Sequence, residues 1–115
     1  MINKKIINIK KISLKPFTKY GKAIPNLSWM PLNYNKKKST GSYILKFKPG
    51  GKSKKHKHLG LEEFLVIKGS LIDSDNLKFK TGDFVTFKPG SSHFSISKKG
   101  CLLLVFTRGK NKPIK

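Results

Sequence analysis

Apolar and polar residues alternate with a period of two in several short runs of this chain, and turn residues break the runs apart. Tyr43, Leu45 and Phe47 fall on one face of a segment whose other face carries Lys46 and Lys48, the pattern of a half-buried strand. Pro49-Gly50-Gly51 ends it. Glu62 to Ile67 predicts a second strand, apolar on both faces after its first two residues. Leu71-Ile72 and Leu77-Lys78-Phe79 flank the polar turn Asp73-Ser74-Asp75-Asn76, which predicts a hairpin. Phe84 to Phe87, Phe94 to Ile96 and Leu102 to Phe106 predict further strands, separated by Pro89-Gly90 and Lys99-Gly100. No stretch carries a capped helical period. Short strands at close spacing predict an all-β fold, a small single-domain antiparallel β-barrel or sandwich, with irregular ends at residues 1 to about 25 and 109–115.

Length and composition narrow the class. The chain has 115 residues, enough for one core and not two. Its longest apolar run, Cys101 to Phe106, falls far short of the ~20 residues needed to cross a bilayer. The apolar stretch near the N-terminus is too short for a signal-peptide core, so no membrane association and a cytoplasmic location are expected. Cys101 is the single cysteine and lies in an apolar run, which reads as a small buried hydrophobe. The net charge of +21 raises the question of nucleic acid. Arg108 is the sole arginine among 26 basic residues, however, and the lysines are spread along the chain. Base and phosphate reading favours the planar fork of arginine. Abundant lysine, isoleucine and asparagine fit a compositional bias better than a nucleic-acid surface, which is a minor alternative.

The candidate chemistry is concentrated. All three histidines, and one of only five acids, fall in two turn-punctuated segments, Gly50-x5-His56-x-His58-x3-Glu62-x6-Gly69 and Gly82-x6-Pro89-Gly90-x2-His93. Imidazole and carboxylate hold divalent metals without thiolates. On a strand, His56 and His58 share a face while Lys57 points away. A reversal at Leu59-Gly60-Leu61 returns the chain so that Glu62 opens the next strand beside them. Pro89-Gly90-Ser91-Ser92 is a second tight turn, and His93 follows it. Three imidazoles and one carboxylate around an octahedral ion leave coordination positions open for a ligand. Glu63 competes for the acidic role but faces away from Glu62. A solvated basic loop, Lys52 to His58, is the bland alternative.

These segments resemble the paired motifs of the cupin superfamily, RmlC-like jelly rolls built as a double-stranded β-helix. Trp29-Met30-Pro31-Leu32, Pro49-Gly50, Gly60-x-Glu62-Glu63-Phe64-Leu65-Val66-x-x-Gly69-Ser70, Gly82-Asp83, Pro89-Gly90-Ser91-Ser92-His93 and Gly100-Cys101 are similar to the ChrR-like cupin group. That group includes the cupin lobe of the anti-sigma factor ChrR and relatives described as acetylacetone-cleaving or dihydroxyacetophenone dioxygenases. The resemblance spans roughly residues 27–107 and divides the chain into an N-terminal arm (1–26), a cupin domain (27–107) and a C-terminal tail (108–115). It implies that His56, His58, Glu62 and His93 match the family's metal ligands; histidine with carboxylate suits one divalent transition metal, iron, manganese, nickel, cobalt or zinc. The second motif is one residue longer than in many cupins, between Gly82 and Pro89, and ends in Ser97 where asparagine is usual. Only the cupin lobe is represented, so no direct anti-sigma role is expected.

Two function classes follow. One is a metal-dependent enzyme of dioxygenase type, acting on a small oxygen-rich molecule such as a diketone or hydroxyketone, with Tyr43, Phe47, Phe64 and Phe87 lining its pocket. The other is a non-catalytic metal-dependent ligand-binding or sensor module. No catalytic residue beyond the metal ligands is evident. The partners expected are a small-molecule ligand and a second copy of the chain, because Leu65 and Ile67 on the outer sheet face need covering by a dimer or by an N-terminal strand.

Overall fold

The computed structural model describes residues 3–114, and it is built almost wholly of strands. In chain order they are β1 (Lys15–Pro16), β2 (Leu27–Asn35), β3 (Thr40–Phe47), β4 (Gly51–Lys52), β5 (His56–His58), β6 (Glu62–Asp73), β7 (Lys78–Lys80), β8 (Phe84–Phe87), β9 (Ser92–His93), β10 (Ser95–Ser97), β11 (Cys101–Arg108) and β12 (Asn111–Pro113). One turn of 3-10 helix at Ile9–Lys11 precedes them. The main sheet runs β1-β2-β3-β11-β6-β10-β4, with β7 and β8 also paired to β6. A small sheet, β12-β5-β9, faces it. All the pairings are antiparallel.

The inward side chains of the main sheet make the core. Tyr43, Leu45 and Phe47 of β3 point in as their alternation predicts, against Leu103 and Val105 of β11 and Phe64 and Val66 of β6. Each such large side chain contributes about 1.5–3 kcal/mol on burial. Ile44, on the opposite face of β3, is also fully buried. Its neighbours in register are Met30 and Leu104, so an apolar row crosses the outer face of the sheet. Ile9, Ile12 and Leu14 of the N-terminal segment line a groove over part of that face, together with Lys46, Lys68 and Leu102. Leu65 and Ile67 are half-buried.

The longest strand departs from its expected bounds. Glu62 to Ile67 and Leu71-Ile72 are not separate elements but one strand, β6, bent at Gly69. Gly69 has φ +89°, and a Cβ there would overlap the Gly100 carbonyl, so only glycine passes between β6 and β11 at this point. The first half of β6 pairs with β8, and the second half pairs with β7 and β10. The hairpin around Asp73-Ser74-Asp75-Asn76 forms as expected, with Leu71 opposite Phe79. The run from Phe94 to Ile96 is likewise shifted: strand structure breaks at Phe94 between β9 and β10, because the two belong to different sheets.

Two strands carry little sequence signal. β2 contains Pro31, which ordinarily demotes a segment from strand status, and the register slips between Pro31 and Asn33 to accommodate it. β12 falls in the stretch read as an irregular end, yet it completes the small sheet by pairing Asn111 with His58. Residues ahead of β2 also enter the core through Phe17 and Ile24.

Candidate metal centre

The site forms between the two sheets. In the small sheet, His56 of β5 lies directly opposite His93 of β9, so their imidazoles leave the ladder on the same side. His58, two residues along β5, joins them. The three ring centroids are 4.6–4.8 Å apart. Glu62, the first residue of β6, faces them from the main sheet. One ligand atom from each of His56, His58, Glu62 and His93 can be chosen so that all lie within 4.8 Å of one another, and all four residues are buried. Glu63 points away, is half-buried, and accepts a hydrogen bond from Thr86 Oγ1 at 3.0 Å.

Each imidazole is oriented by a hydrogen bond at its far nitrogen. His56 Nδ1 donates to the Lys54 carbonyl at 2.7 Å, His58 Nδ1 to Asn111 Oδ1 at 3.0 Å, and His93 Nδ1 to Asp73 Oδ1 at 2.7 Å. Placing the proton on Nδ1 leaves Nε2 with a free lone pair. Among the described residues, the three Nε2 atoms are the buried side-chain polar atoms without a hydrogen-bond partner, and there are no others. A buried polar atom is ordinarily satisfied. Three such atoms converging beside a carboxylate fit the lone-pair set of a divalent transition metal.

Burial sets the protonation states. It pushes His56 down from 6.5 to about 4, against the pull of the Lys54 carbonyl, and His93 adds to the lowering. His58 is lowered by the same cause although the Glu62 charge opposes it, so the 3.2 Å approach of His58 Nδ1 to Glu62 Oε2 is no ion pair at neutral pH. Burial works to raise Asp73, but the hydrogen bonds from His93 and Ser95 (Ser95 Oγ at 2.8 Å) outweigh it and hold the carboxyl below its ordinary value. Neutral imidazoles and ionised carboxylates are the ligating and supporting forms.

A pH dependence follows with a definite sign. Between about 4 and 6.5 the unfolded chain binds a proton at His56 that the folded chain refuses. The stability contributed by the neutral imidazole is therefore complete above pH 6.5 and is lost as pH falls toward 4. Thermal melts of metal-free protein at pH 7, 5.5 and 4.5 are expected to show a falling midpoint. A midpoint unchanged across this range would contradict the burial of neutral histidines.

The remaining sequence-predicted residues divide. Tyr43, Phe47 and Phe64 line a cavity of about 40 Å³ that His56, Glu62 and His93 also line. Phe87 is not among its lining residues. Its ring lies instead against His93, with centroids 4.0 Å apart, and against His58 at 5.1 Å, bracing two imidazoles from the side. Cys101 is buried, and burial pushes its thiol up to about 12, as befits an inert core residue.

The structure adds four supporting residues with no motif to announce them. Asp73 reaches His93 because β6 and β10 pair Asp73 with Ser95. Asn111 reaches His58 through its pairing in the small sheet, and its Nδ2 donates to Tyr20 OH at 2.9 Å and to Glu62 Oε1 at 3.2 Å. Lys19 Nζ sits 3.9 Å from Glu62 Oε1. Burial lowers the Lys19 ammonium while the Glu62 charge opposes that shift, and burial raises the Tyr20 and Tyr43 phenols so that both keep their protons.

The ChrR cupin-like domain model matches residues 4–111, nearly the whole chain. The chain belongs to the ChrR cupin-like family. No functionally curated protein matches it. Among solved structures, this ChrR cupin-like chain is similar to an acetylacetone dioxygenase from Acinetobacter johnsonii, with a TM-score of 0.83 at 15% identity over 100% of this chain and 80% of that one. It is also similar to the anti-sigma ChrR of Rhodobacter sphaeroides, solved in complex with SigE, with a TM-score of 0.67 at 19% identity over 87% of this chain and 50% of that one. The polyketide cyclase RemF from Streptomyces resistomycificus gives 0.72 at 16% identity, over 97% and 86%. At these identities the likenesses establish the cupin fold. Among the described residues no helix is long and apolar enough to cross a membrane.

Proposed function

We propose that this ChrR cupin-like chain is a metal-dependent enzyme of dioxygenase type acting on a small oxygen-rich molecule, a diketone or hydroxyketone. The observation that carries the reading is the convergence of three partnerless, buried Nε2 atoms beside Glu62. His56, His58, Glu62 and His93 would hold one divalent transition metal. Such an ion supplies a Lewis acid with open positions for oxygen ligands. The chain supplies the rest. Nδ1 contacts to Lys54, Asn111 and Asp73 fix the imidazoles. Phe17, Leu45 and Phe64 keep water out of the cavity, and the Tyr20 and Tyr43 hydroxyls offer hydrogen bonds at its wall. The similarity to an acetylacetone dioxygenase supports the substrate class. A cytoplasmic homodimer is the assembly we propose, with the half-buried Leu65 and Ile67 and the exposed Phe84 at the shared face.

A second reading, a binding or sensor module, is favoured by one observation. The cavity is small, about 40 Å³ against the ~300–1,000 Å³ of ordinary small-molecule pockets. A diketone needs more space. On the enzyme reading the N-terminal arm must yield, since Phe17 and Tyr20 wall the cavity and Phe17 and Ile24 are the buried apolar residues that anchor the arm. Two such side chains contribute about 3–6 kcal/mol, less than the three buried residues of β3 that line the cavity, Tyr43, Leu45 and Phe47. The arm is therefore the wall that costs least to move.

Oxygen consumption separates the readings. Iron(II)-loaded protein supplied with a panel of β-diketones and hydroxyketones is expected to take up dioxygen with at least one of them. A flat trace across the panel, from protein shown to hold iron, would leave the binding module.

A further inference from the structure

A lysine-rich composition accounts for lysines on a surface, and every other described lysine is exposed. Lys19 is the exception. Its side chain is 3% exposed, and its Nζ lies 3.9 Å from Glu62 Oε1 and 3.5 Å from Tyr43 OH, over the ring faces of Tyr20 (5.6 Å) and Tyr43 (5.2 Å). Withdrawing an ammonium from water is costly, and one carboxylate at that distance, shared with Asn111, is a weak return for it. Two tyrosine faces add cation–π attraction without cancelling the charge.

We propose that Lys19 selects the charge of the small molecule that completes the metal centre, favouring a monoanion such as a carboxylate or an enolate over a neutral ligand. The inference rests on the metal reading of the same site. With three neutral imidazoles, a divalent ion is balanced by the two buried carboxylates that serve the centre, Glu62 as ligand and Asp73 behind His93. Lys19 then leaves this buried assembly with one positive charge in excess. In an interior of low dielectric, such an excess draws one counter-charge strongly. Tyr43 and Glu62 both touch Lys19 and both line the cavity, so the ammonium stands one side chain behind the space a ligand would occupy. It acts through its field and not by contact. A lysine that merely steadied Glu62 would affect anionic and neutral ligands alike, and this difference makes the role measurable.

The test uses cobalt(II)-loaded protein, whose visible spectrum reports added ligands, titrated separately at about pH 8 with azide as the anionic probe and imidazole as the neutral one. Lys19→Met keeps the length and the contacts with the tyrosine faces while removing the charge, and Lys19→Gln serves as the second variant should the first fail to fold. Azide is expected to bind the neutral variant about tenfold or more weakly than wild type, with imidazole affinity unchanged within about twofold. Equal azide affinities, or a parallel loss for both probes, would overturn the proposal. Wild-type protein that fails to take up cobalt(II) would overturn the metal reading and this inference together. Cobalt uptake without azide discrimination would overturn this inference alone.

Discussion

His93→Ala is expected to cut bound transition metal from near one ion per chain to below about a tenth of that, the largest single loss at the centre. His93 supplies one of three buried Nε2 atoms that meet no protein partner, and its cross-strand position opposite His56 makes it the imidazole contributed by a different strand. Its removal leaves two imidazoles and one carboxylate to hold the ion. Asp73→Asn gives the graded comparison. It keeps all four ligands and removes the charge behind His93, and losses at such supporting positions run about 10- to 100-fold in affinity. Elemental analysis of purified protein, with circular dichroism to verify folding, measures both. Full metal content in folded His93→Ala would dispose of the centre as drawn.

Gly60→Ala is expected to lower the unfolding midpoint by about 10 °C or more, from a cost of about 3 kcal/mol, and to reduce metal content with it. Gly60 and Gly109 meet backbone to backbone. A Cβ on Gly60 would lie 2.7 Å from Gly109 Cα and 2.9 Å from the Arg108 carbonyl oxygen, and neither atom is a flexible side-chain end that can turn aside. The contact brings the turn after β5 against the entry to β12, and Asn111 depends on that entry to reach His58 and Glu62. Differential scanning calorimetry measures the midpoint, and the metal assay above measures the coupled loss. A variant as stable as wild type would show that the two turns can separate without cost.

The alternation in β3, the Asp73–Asn76 hairpin and the convergence of His56, His58, Glu62 and His93 were legible because period and spacing act locally. His-x-His puts two rings on one face whatever surrounds them, and the turns before Glu62 and His93 are written in glycine and proline. Asp73 was not legible. Glu62, Phe64 and Val66 alternate inward with one phase and Leu71 and Asp73 with the other, because the strand changes phase near Gly69. Counting by twos from Glu62 therefore aims Asp73 outward, and its place in a polar run reads as a turn. Lys19, Tyr20 and Asn111 were hidden for another reason. Their roles come from partners as many as 91 residues away, and nothing in their own neighbourhoods differs from the lysine- and asparagine-rich sequence around them. Phe87 was legible as an aromatic near the site, but its place against the imidazoles depends on β8 pairing with β6, which spacing does not encode.

Glu62 is held by Lys19 and Asn111, residues far apart in the chain that reach it from the segment ahead of β2 and from β12. The carboxylate is therefore fixed only when both of those segments are docked, β12 on β5 and the arm through Phe17 and Ile24. A change that undocks either segment is expected to show itself first at this carboxylate, as a loss of bound metal ahead of a loss of fold.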